Sequence, residues 1–358
     1  MKIALITDQH FGARNDSAIM YQHFDNFYSN TFFPYLEREK INVVIDLGDT
    51  FDRRKFVNFR TLSEAKRIWF DKLRDRGIEL HTIAGNHTTY YKNTNSLNTM
   101  NLLFGEYENI TVYDQGPSTV NFGGVEILLL PWICAENAKE SVKAIQETSA
   151  SVCFGHLEIQ GFMMYRNSIA CYDGLSTDVF DKFEIVASGH FHHKSKKGNI
   201  HYLGSPYEMT WSDYNDPRGF HIFDSSKKEL TFIQNPYKLF HKVVYDDKVK
   251  TKEEILKRDY SMYANTYVKV IVSNKTKPGT FDQLLDKLYD VNPQSLSITD
   301  DHKNAYEQSE DEIFQETEDT MTILKNYLDN EDYDGDFKNN VTRLMEEFYH
   351  KAQQYSAD

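Results

Sequence analysis

Five times along this chain a short apolar run suited to a buried strand stops at or beside a glycine and delivers an aspartate, histidine or asparagine. The best marked is Ile41 to Arg54, where Val43, Val44 and Ile45 precede a break at Gly48 that presents Asp49 and Asp52. Lys2 to Thr7 ends at Asp8-Gln9-His10, and Glu79 to Ala84 ends at Gly85-Asn86-His87. Ser151 to Phe154 leads into Gly155-His156, and Glu184 to Ala187 into Gly189-His190-Phe191-His192-His193. A sixth run, Val125 to Leu130, ends in Pro131-Trp132 and carries no such side chain. Ligand sites of open α/β sheets lie at the carboxyl ends of strands, so this pattern gathers reactive side chains from distant stretches of chain at one edge. A single Gly-Asp turn or a lone histidine is ordinary. Five strand ends of the same kind are a site.

The set Asp8, His10, Asp49, Asn86, His156, His190 and His192 is made of oxygen and imidazole and contains no sulfur. Such donors suit Mn, Fe or Zn better than Ca, and seven exceed the needs of one ion. Two divalent ions about 3.5 to 4 Å apart, bridged by Asp49, would use them all and form the clamp for in-line attack on phosphorus. The chemistry deduced is phosphoester hydrolysis. Cys134, Cys153 and Cys171 form no CxxC pair and are odd in number, which argues against a thiolate zinc site and for reduced thiols.

The same motifs, Asp8-x-His10, Gly48-Asp49, Gly85-Asn86-His87, Gly155-His156 and Gly189-His190-x-His192, resemble those of the calcineurin-like metallophosphoesterases in order and spacing. Tyr202-Leu-Gly-Ser-Pro-Tyr-Glu208 further resembles the DNA nuclease branch, the SbcD family. Length and tail look most like the recombination exonuclease subunits of T-even-type phages. The resemblance covers residues 1 to 240 strongly and weakens thereafter. It implies a four-layer α/β/β/α sandwich with two mixed sheets, a small α/β cap and a C-terminal helical arm. It also implies that one ion takes Asp8, His10, Asp49 and His192, and the other Asp49, Asn86, His156 and His190. His87 is then the non-ligand histidine that stabilises the transition state and protonates the leaving 3′ oxygen. Two positions depart from the family: Thr88 stands where many relatives carry an acid after Gly-Asn-His, and Asp52 stands where some carry a second catalytic histidine. Asp52 is expected to hold a ligand histidine from behind.

Composition bounds the remaining choices. The net charge of -14 argues at face value against a nucleic-acid binder. However, residues 300 to 358 hold 17 acidic against 5 basic side chains, so most of that charge sits in the tail and the body is near neutral. Arg53-Arg54-Lys55 follows the Asp49 loop and Lys194-Ser-Lys196-Lys197 follows the histidine cluster. Both runs are read either as contacts to DNA phosphates or as solvated loop charge. Tyr90-Tyr91 and Tyr165-Arg166 are weaker candidates for stacking on bases. No apolar run approaches the roughly 20 residues of a membrane span, and KIALIT at the start is a strand, so a soluble cytoplasmic protein is expected.

The domain reading is a catalytic domain over residues 1–245, a small α/β capping domain that recognises DNA over 246–299, an acidic linker over 300–312 and a helical arm over 313–358. Lys269, Lys275 and Lys277 are the cap's candidate phosphate contacts. In the arm, Phe314, Thr317, Met321, Leu324 and Leu328 repeat at intervals of three and four, and Val341, Leu344 and Phe348 form a second stripe. These stripes either pack back on the body or dock on a partner. Resemblance favours the partner, an SbcC-type ABC ATPase with a long coiled coil, in a heterotetramer built on a homodimer of this chain. The resulting expectation is a Mn-activated (or Mg-activated) 3′ to 5′ exonuclease on duplex DNA and endonuclease on single strands, acting in recombination and break processing. The rivals are a phosphoesterase for phosphoproteins or cyclic nucleotides, and a non-catalytic DNA-binding subunit.

Overall fold

All six apolar runs named above are strands in the computed structural model, which describes residues 1–166, 168, 170–300, 334 and 337–345. The first strands in chain order are β1 (Lys2–Ile6), β2 (Val43–Asp46), β3 (Glu79–Ile83), β4 (Ile110–Tyr113), β5 (Ser118–Phe122), β6 (Val125–Leu130) and β7 (Val152–His156). Then come β8 (Ile185–Gly189), β9 (Ser195–Lys197), β10 (Ile200–Tyr202), β11 (Gly219–Asp224), β12 (Glu229–Gln234), β13 (Phe240–Asp246), β14 (Tyr267–Asn274) and β15 (Ser295–Asp300). The chain divides into two compact units, Met1–Phe240 and His241–Asp358.

In the first unit the strands form two six-stranded sheets, ordered β12-β11-β1-β2-β3-β4 and β5-β6-β7-β8-β10-β9. Both are mixed: β1 to β4 run parallel, β11 pairs antiparallel with β1 and β12 antiparallel with β11, while β6, β7, β8 and β10 run parallel with β5 and β9 antiparallel at the edges. Strand side chains alternate between faces, and one face of each sheet meets the other sheet. Ile3, Leu5, Val43, Ile45 and Ile83 of the first sheet share a buried cluster with Ile127, Leu129, Phe154 and Ala187 of the second. The outer face of the second sheet is covered through Ile145 of helix Ala138–Glu147 and Phe180, which pack with Leu128, Cys153 and Val186. Over the first sheet lie aromatic helices, where the rings of Phe32, Trp69 and Phe220 pack at centroid distances of 4.7 to 5.2 Å. The result is the expected four-layer α/β/β/α sandwich. Phe24, Phe27, Tyr28, Phe32 and Phe33 are all buried in the aromatic layer.

Residues 219 to 246 supply three strands, of which β11 and β12 extend the first sheet beside β1 and β13 joins the sheet of the second unit. Strand β1 is buried, so the backbone groups of both its edges need partners; β2 takes one edge and β11 the other, in register Lys2↔Asp224 to Leu5↔His221. The helix after β2 begins at Phe59. Asn58 caps it by accepting from the Arg60 N–H at 2.8 Å, while Thr61 is buried against Tyr21.

The second unit is built on the sheet β13-β14-β15, with β14 and β15 parallel, and helix Pro278–Asp290. Phe281, Leu284 and Leu288 of that helix pack with Val268, Val270 and Val272. Residues 337–345 are helical, with Val341 half-buried and Leu344 exposed. Phe314, Met321, Leu324, Leu328, Phe348 and the linker 301–312 lie outside the described residues. Among the described residues no helix is long and apolar enough to cross a membrane.

Candidate metal centre

The loops beyond β1 and β2 are knitted together before any side chain is considered. The N–H groups of Asp8, His10 and Phe11 donate to the carbonyls of Gly48, Asp49 and Thr50 at 3.0, 3.0 and 2.8 Å. Asp8, His10, Asp49 and His190 all adopt left-handed backbone, with φ of 52, 47, 54 and 85°. Such conformations cost non-glycine residues on the order of 1 to 3 kcal/mol each and persist where surrounding bonds over-determine them. The glycines of the motifs serve close approach. A Cβ on Gly85 would lie 2.2 Å from Asp49 Oδ1, one on Gly48 2.8 Å from His156 Nδ1, and one on Gly189 2.0 Å from Thr7 Oγ1.

The seven predicted ligand residues come together in two adjoining groups. Asp8, His10 and His192 form one and Asp49, His156 and His190 the other, with the donor atoms of each group within 4.8 Å of one another. In the first, His10 Nε2 and His192 Nε2 stand 3.0 Å apart, and Asp8 Oδ1 is 4.0 and 3.8 Å from them. In the second, Asn86 Oδ1 lies 2.9 Å from both His156 Nε2 and His190 Nδ1, and Asp49 Oδ2 is 3.2 Å from His156 Nε2. The groups are linked by the His190 N–H, which donates to both carboxylate oxygens of Asp8 at 3.1 Å.

Whether this set fits cations can be tested on His156. Its Nδ1 is 2.7 Å from the Leu47 carbonyl, which only accepts, so Nδ1 carries the proton. In the neutral ring Nε2 then points a lone pair at two further acceptors, Asn86 Oδ1 and Asp49 Oδ2. Three acceptors converging in a buried space call for a positive charge. Without an ion a proton supplies it: burial alone would lower the His156 pKa, but Asp49 beside it pushes it up to about 9. Burial likewise would raise Asp49, yet His156 and His87 hold its carboxylate well below the ordinary range. At the other group burial, followed by the charges of His10 and Arg218, drives His192 well down, leaving an imidazole suited to ligation. Burial also raises Asp8 against the pull of His156. The residues fit two divalent metal ions.

Asp52 and His87 sit against the first group. Asp52 Oδ1 is 3.2 Å from His10 Nδ1, off the hydrogen-bonding line, and this contact and its charge raise His10 against the lowering effect of burial. The main-chain carbonyl of Asp52 is 2.5 Å from His87 Nδ1, and the His87 N–H donates to Asp49 Oδ1 at 2.7 Å. The His87 ring is therefore oriented by a peptide carbonyl. Thr88 serves the loop instead, its hydroxyl accepting from the Gly85 N–H at 3.0 Å and closing the turn. Burial lowers the His87 pKa, with Asp49 opposing.

Three supports escaped the sequence. Asp46, fully buried, accepts from Gln9 Nε2 at 2.8 Å, Thr50 Oγ1 at 2.7 Å and the Gly48 N–H at 3.2 Å, and burial pushes its pKa up to about 7. Glu158 Oε1 is 3.2 Å from His190 Nε2, which leaves Nδ1 for the centre in the carboxylate–histidine pattern of metal sites. Arg218 bonds the His192 carbonyl, Ser205 Oγ at 2.6 Å, Asp213 at 2.6 Å and Asp216 at 2.9 Å, so the Gly204-Ser-Pro206 segment and the histidine loop share one buried cation. A glycine-flanked serine was the only advance signal of that network.

The basic runs separate on inspection. Arg53 is committed to Asp16 at 2.9 Å and Asn15 at 3.0 Å, Lys197 bonds the Gly161 carbonyl, and Lys194 lies over the Phe232 ring at 4.7 Å. Arg54 lies over the Trp132 ring at 4.9 Å, while Lys55 and Lys196 are exposed. Tyr90 and Tyr91 are exposed and edge-to-face at 4.8 Å, and the Tyr165 ring is 5.5 Å from His192. In the second unit Lys275 lies over Phe281 at 4.3 Å.

Comparison with known proteins agrees with this geometry. The family model for calcineurin-like phosphoesterases matches residues 1–194. Exonuclease subunit 1 of Enterobacteria phage T4 is 36% identical over 330 residues, 92% of this chain and 92% of that protein. The SbcD component of the SbcCD nuclease of Staphylococcus epidermidis is 21% identical over 379 residues, covering 92% of this chain and 93% of that one. The corresponding component from Staphylococcus saprophyticus is 26% identical over 124 residues, 32% of this chain and 33% of that one.

Proposed function

The chain belongs to the calcineurin-like phosphoesterase family, whose members are metal-dependent hydrolases, and from that premise we propose that it is a two-metal DNA nuclease. The observation that carries this reading is the meeting of Asp8, His10, Asp49, Asn86, His156, His190 and His192 in two adjoining groups. We assign Asp8, His10, Asp49 and His192 to one Mn²⁺ and Asp49, Asn86, His156 and His190 to the other, with Mg²⁺ as the substitute ion. The ions supply a water nucleophile and neutralise charge on the phosphoryl oxygens.

The protein's own groups do the rest. His87, its Nδ1 proton held by the Asp52 carbonyl, keeps Nε2 for the proton that passes to the leaving 3′ oxygen. Asp52 steadies His10 from the side away from His192. Exposed cations beside the centre, Lys55 and Lys196 among them, attract the phosphates on either side of the scissile one. DNA is the substrate favoured by the 36% identity to an exonuclease subunit over nearly the whole chain. By the same resemblance the reaction is 3′ to 5′ removal from duplex ends and cleavage within single strands. The helical arm, with Val341 and Leu344 in its described part, docks on an SbcC-type coiled-coil ATPase, and residues 246–299 form a domain that recognises DNA.

His87→Ala tests the assignment. Bound metal, measured by elemental analysis, should stay at the wild-type level while DNA hydrolysis falls by about 100-fold or more, as expected on losing a general acid. Normal cleavage by the variant would remove His87 from the mechanism. A wild type active on phosphopeptides or cyclic nucleotides but not on DNA would shift the reading to the other phosphoesterase classes.

A further inference from the structure

Unlike the exposed Lys55 and Lys196, Arg54 is half-buried, yet its guanidinium has a buried nitrogen with no hydrogen-bond partner. Its guanidinium lies 4.9 Å from the centroid of the Trp132 ring. The Trp132 backbone is fixed: its main-chain N–H donates to Ala84 O at 2.7 Å, and its main-chain carbonyl accepts from Asn95 Nδ2 at 2.8 Å and Asn137 Nδ2 at 3.1 Å. Arg54 therefore lies on an aromatic shelf carried by an anchored stretch of chain. Its Nη1 is closed off from solvent without a hydrogen-bond partner, and its other guanidinium nitrogens make no hydrogen bond among the described residues and stay open to solvent. The carboxylates that act on it are Asp49 and Glu158, one a ligand candidate and the other in contact with His190, so it faces the metal centre. Around it the chain gathers like charge: Lys92 feels the repulsion of both Arg54 and Lys55.

With Asp49 and Glu158 near but not hydrogen-bonded to it, the Arg54 guanidinium keeps donors without an acceptor, and an anion brought beside Lys55 and Lys92 would supply one. An arginine fork on an aromatic face is the arrangement that takes a phosphate through two parallel bonds, which a lysine cannot reproduce. We propose that Arg54 on its Trp132 shelf, with Lys92 and Lys55 beside it, is a seat for the internucleotide phosphate next to the scissile one. It makes the centre prefer a polynucleotide over an isolated phosphodiester. The inference rests on the nuclease reading and sharpens it, since metals alone would treat both substrates alike.

The test compares hydrolysis of a short oligonucleotide with that of bis(p-nitrophenyl) phosphate, which has no neighbouring phosphate, in wild type, Arg54→Ala and Arg54→Lys. In Arg54→Ala the ratio of kcat/KM for oligonucleotide to that for the single diester should fall about tenfold, chiefly through KM, and the salt dependence of DNA binding should weaken by about one phosphate contact. Arg54→Lys should recover the salt slope but only part of the ratio. Replacing the neighbouring phosphate by a neutral methylphosphonate, on each side in turn, should harm the wild type and at one position add nothing further to Arg54→Ala. Equal ratios in wild type and Arg54→Ala, or additive losses at both positions, would overturn the seat while leaving the nuclease reading in place. A wild type that cleaves the single diester but leaves DNA intact overturns both.

Discussion

At the scale of single residues the centre is crowded, and its glycines are the most exposed to test. A methyl group on Gly85 would meet Asp49 Oδ1 at 2.2 Å and the Asp49 N at 2.4 Å, and neither can retreat from a loop held at both ends. Gly85→Ala should therefore destabilise the fold by about 1 to 3 kcal/mol. It should also reduce bound metal below that of the wild type in the same preparation. Wild-type metal content and an unchanged denaturation midpoint would show that the close approach is not required. Asp46 permits a prediction with a sign. Its folded pKa of about 7 lies above the ordinary carboxylate value of about 3.9, so between those values the folded state holds a proton that the unfolded state has released. Folding stability from this group is full at low pH and is lost as pH rises through that window, at up to about 1.4 kcal/mol per unit. The stability of wild type minus that of Asp46→Asn should fall between pH 4 and 7 and level off above. A difference that grew with pH would mean that the three donors around Asp46 outweigh its burial.

At the scale of elements, the histidine loop after β8 is held less by its own sequence than by Arg218. That guanidinium joins the His192 carbonyl, Ser205, Asp213 and Asp216 in a buried network. Arg218→Leu leaves two buried carboxylates without their cation, which typically costs about 3 to 5 kcal/mol. The variant should denature earlier and lose metal from the His10 and His192 side. An unaltered denaturation midpoint would contradict the role given to the network. This network also marks where reading the sequence stops. The strands with long apolar runs and the motif residues at their ends were legible, because strand burial and turn formation are local. β4, β5, β9 and β10 were not, being short or polar, and β11 could not be assigned to β1 because that pairing spans the whole first unit. Asp46, Glu158 and Arg218 carry no motif that singles them out. Each acquires its meaning only from a partner that folding brings in. Asp52 was legible as a support for a histidine, whereas the use of its main-chain carbonyl to orient His87 carries no side-chain signature at all.

At the scale of the molecule, charge and burial divide the chain in the same way. The candidate site residues and two large buried clusters of the sandwich lie within Met1–Phe240, and the second unit has its own core around Val270, Phe281 and Leu284. The acidic stretch follows β15, so the last residue needed to complete a described strand is Asp300. A chain ending there keeps every described strand and the whole metal centre. If the arm docks on an ATPase, that truncated protein should still bind metal and hydrolyse a single phosphodiester at a rate near that of the full chain, yet fail to copurify with the coiled-coil partner. Double substitution of Val341 and Leu344 by aspartate in the full chain should weaken the same capture by about tenfold or more, because charge in an apolar helix-in-groove contact is strongly disfavoured. The alternative, an arm that packs back on the body, predicts the opposite pair of results: truncation lowers the denaturation midpoint of the remaining protein, and capture of the ATPase survives the loss of residues 301 to 358.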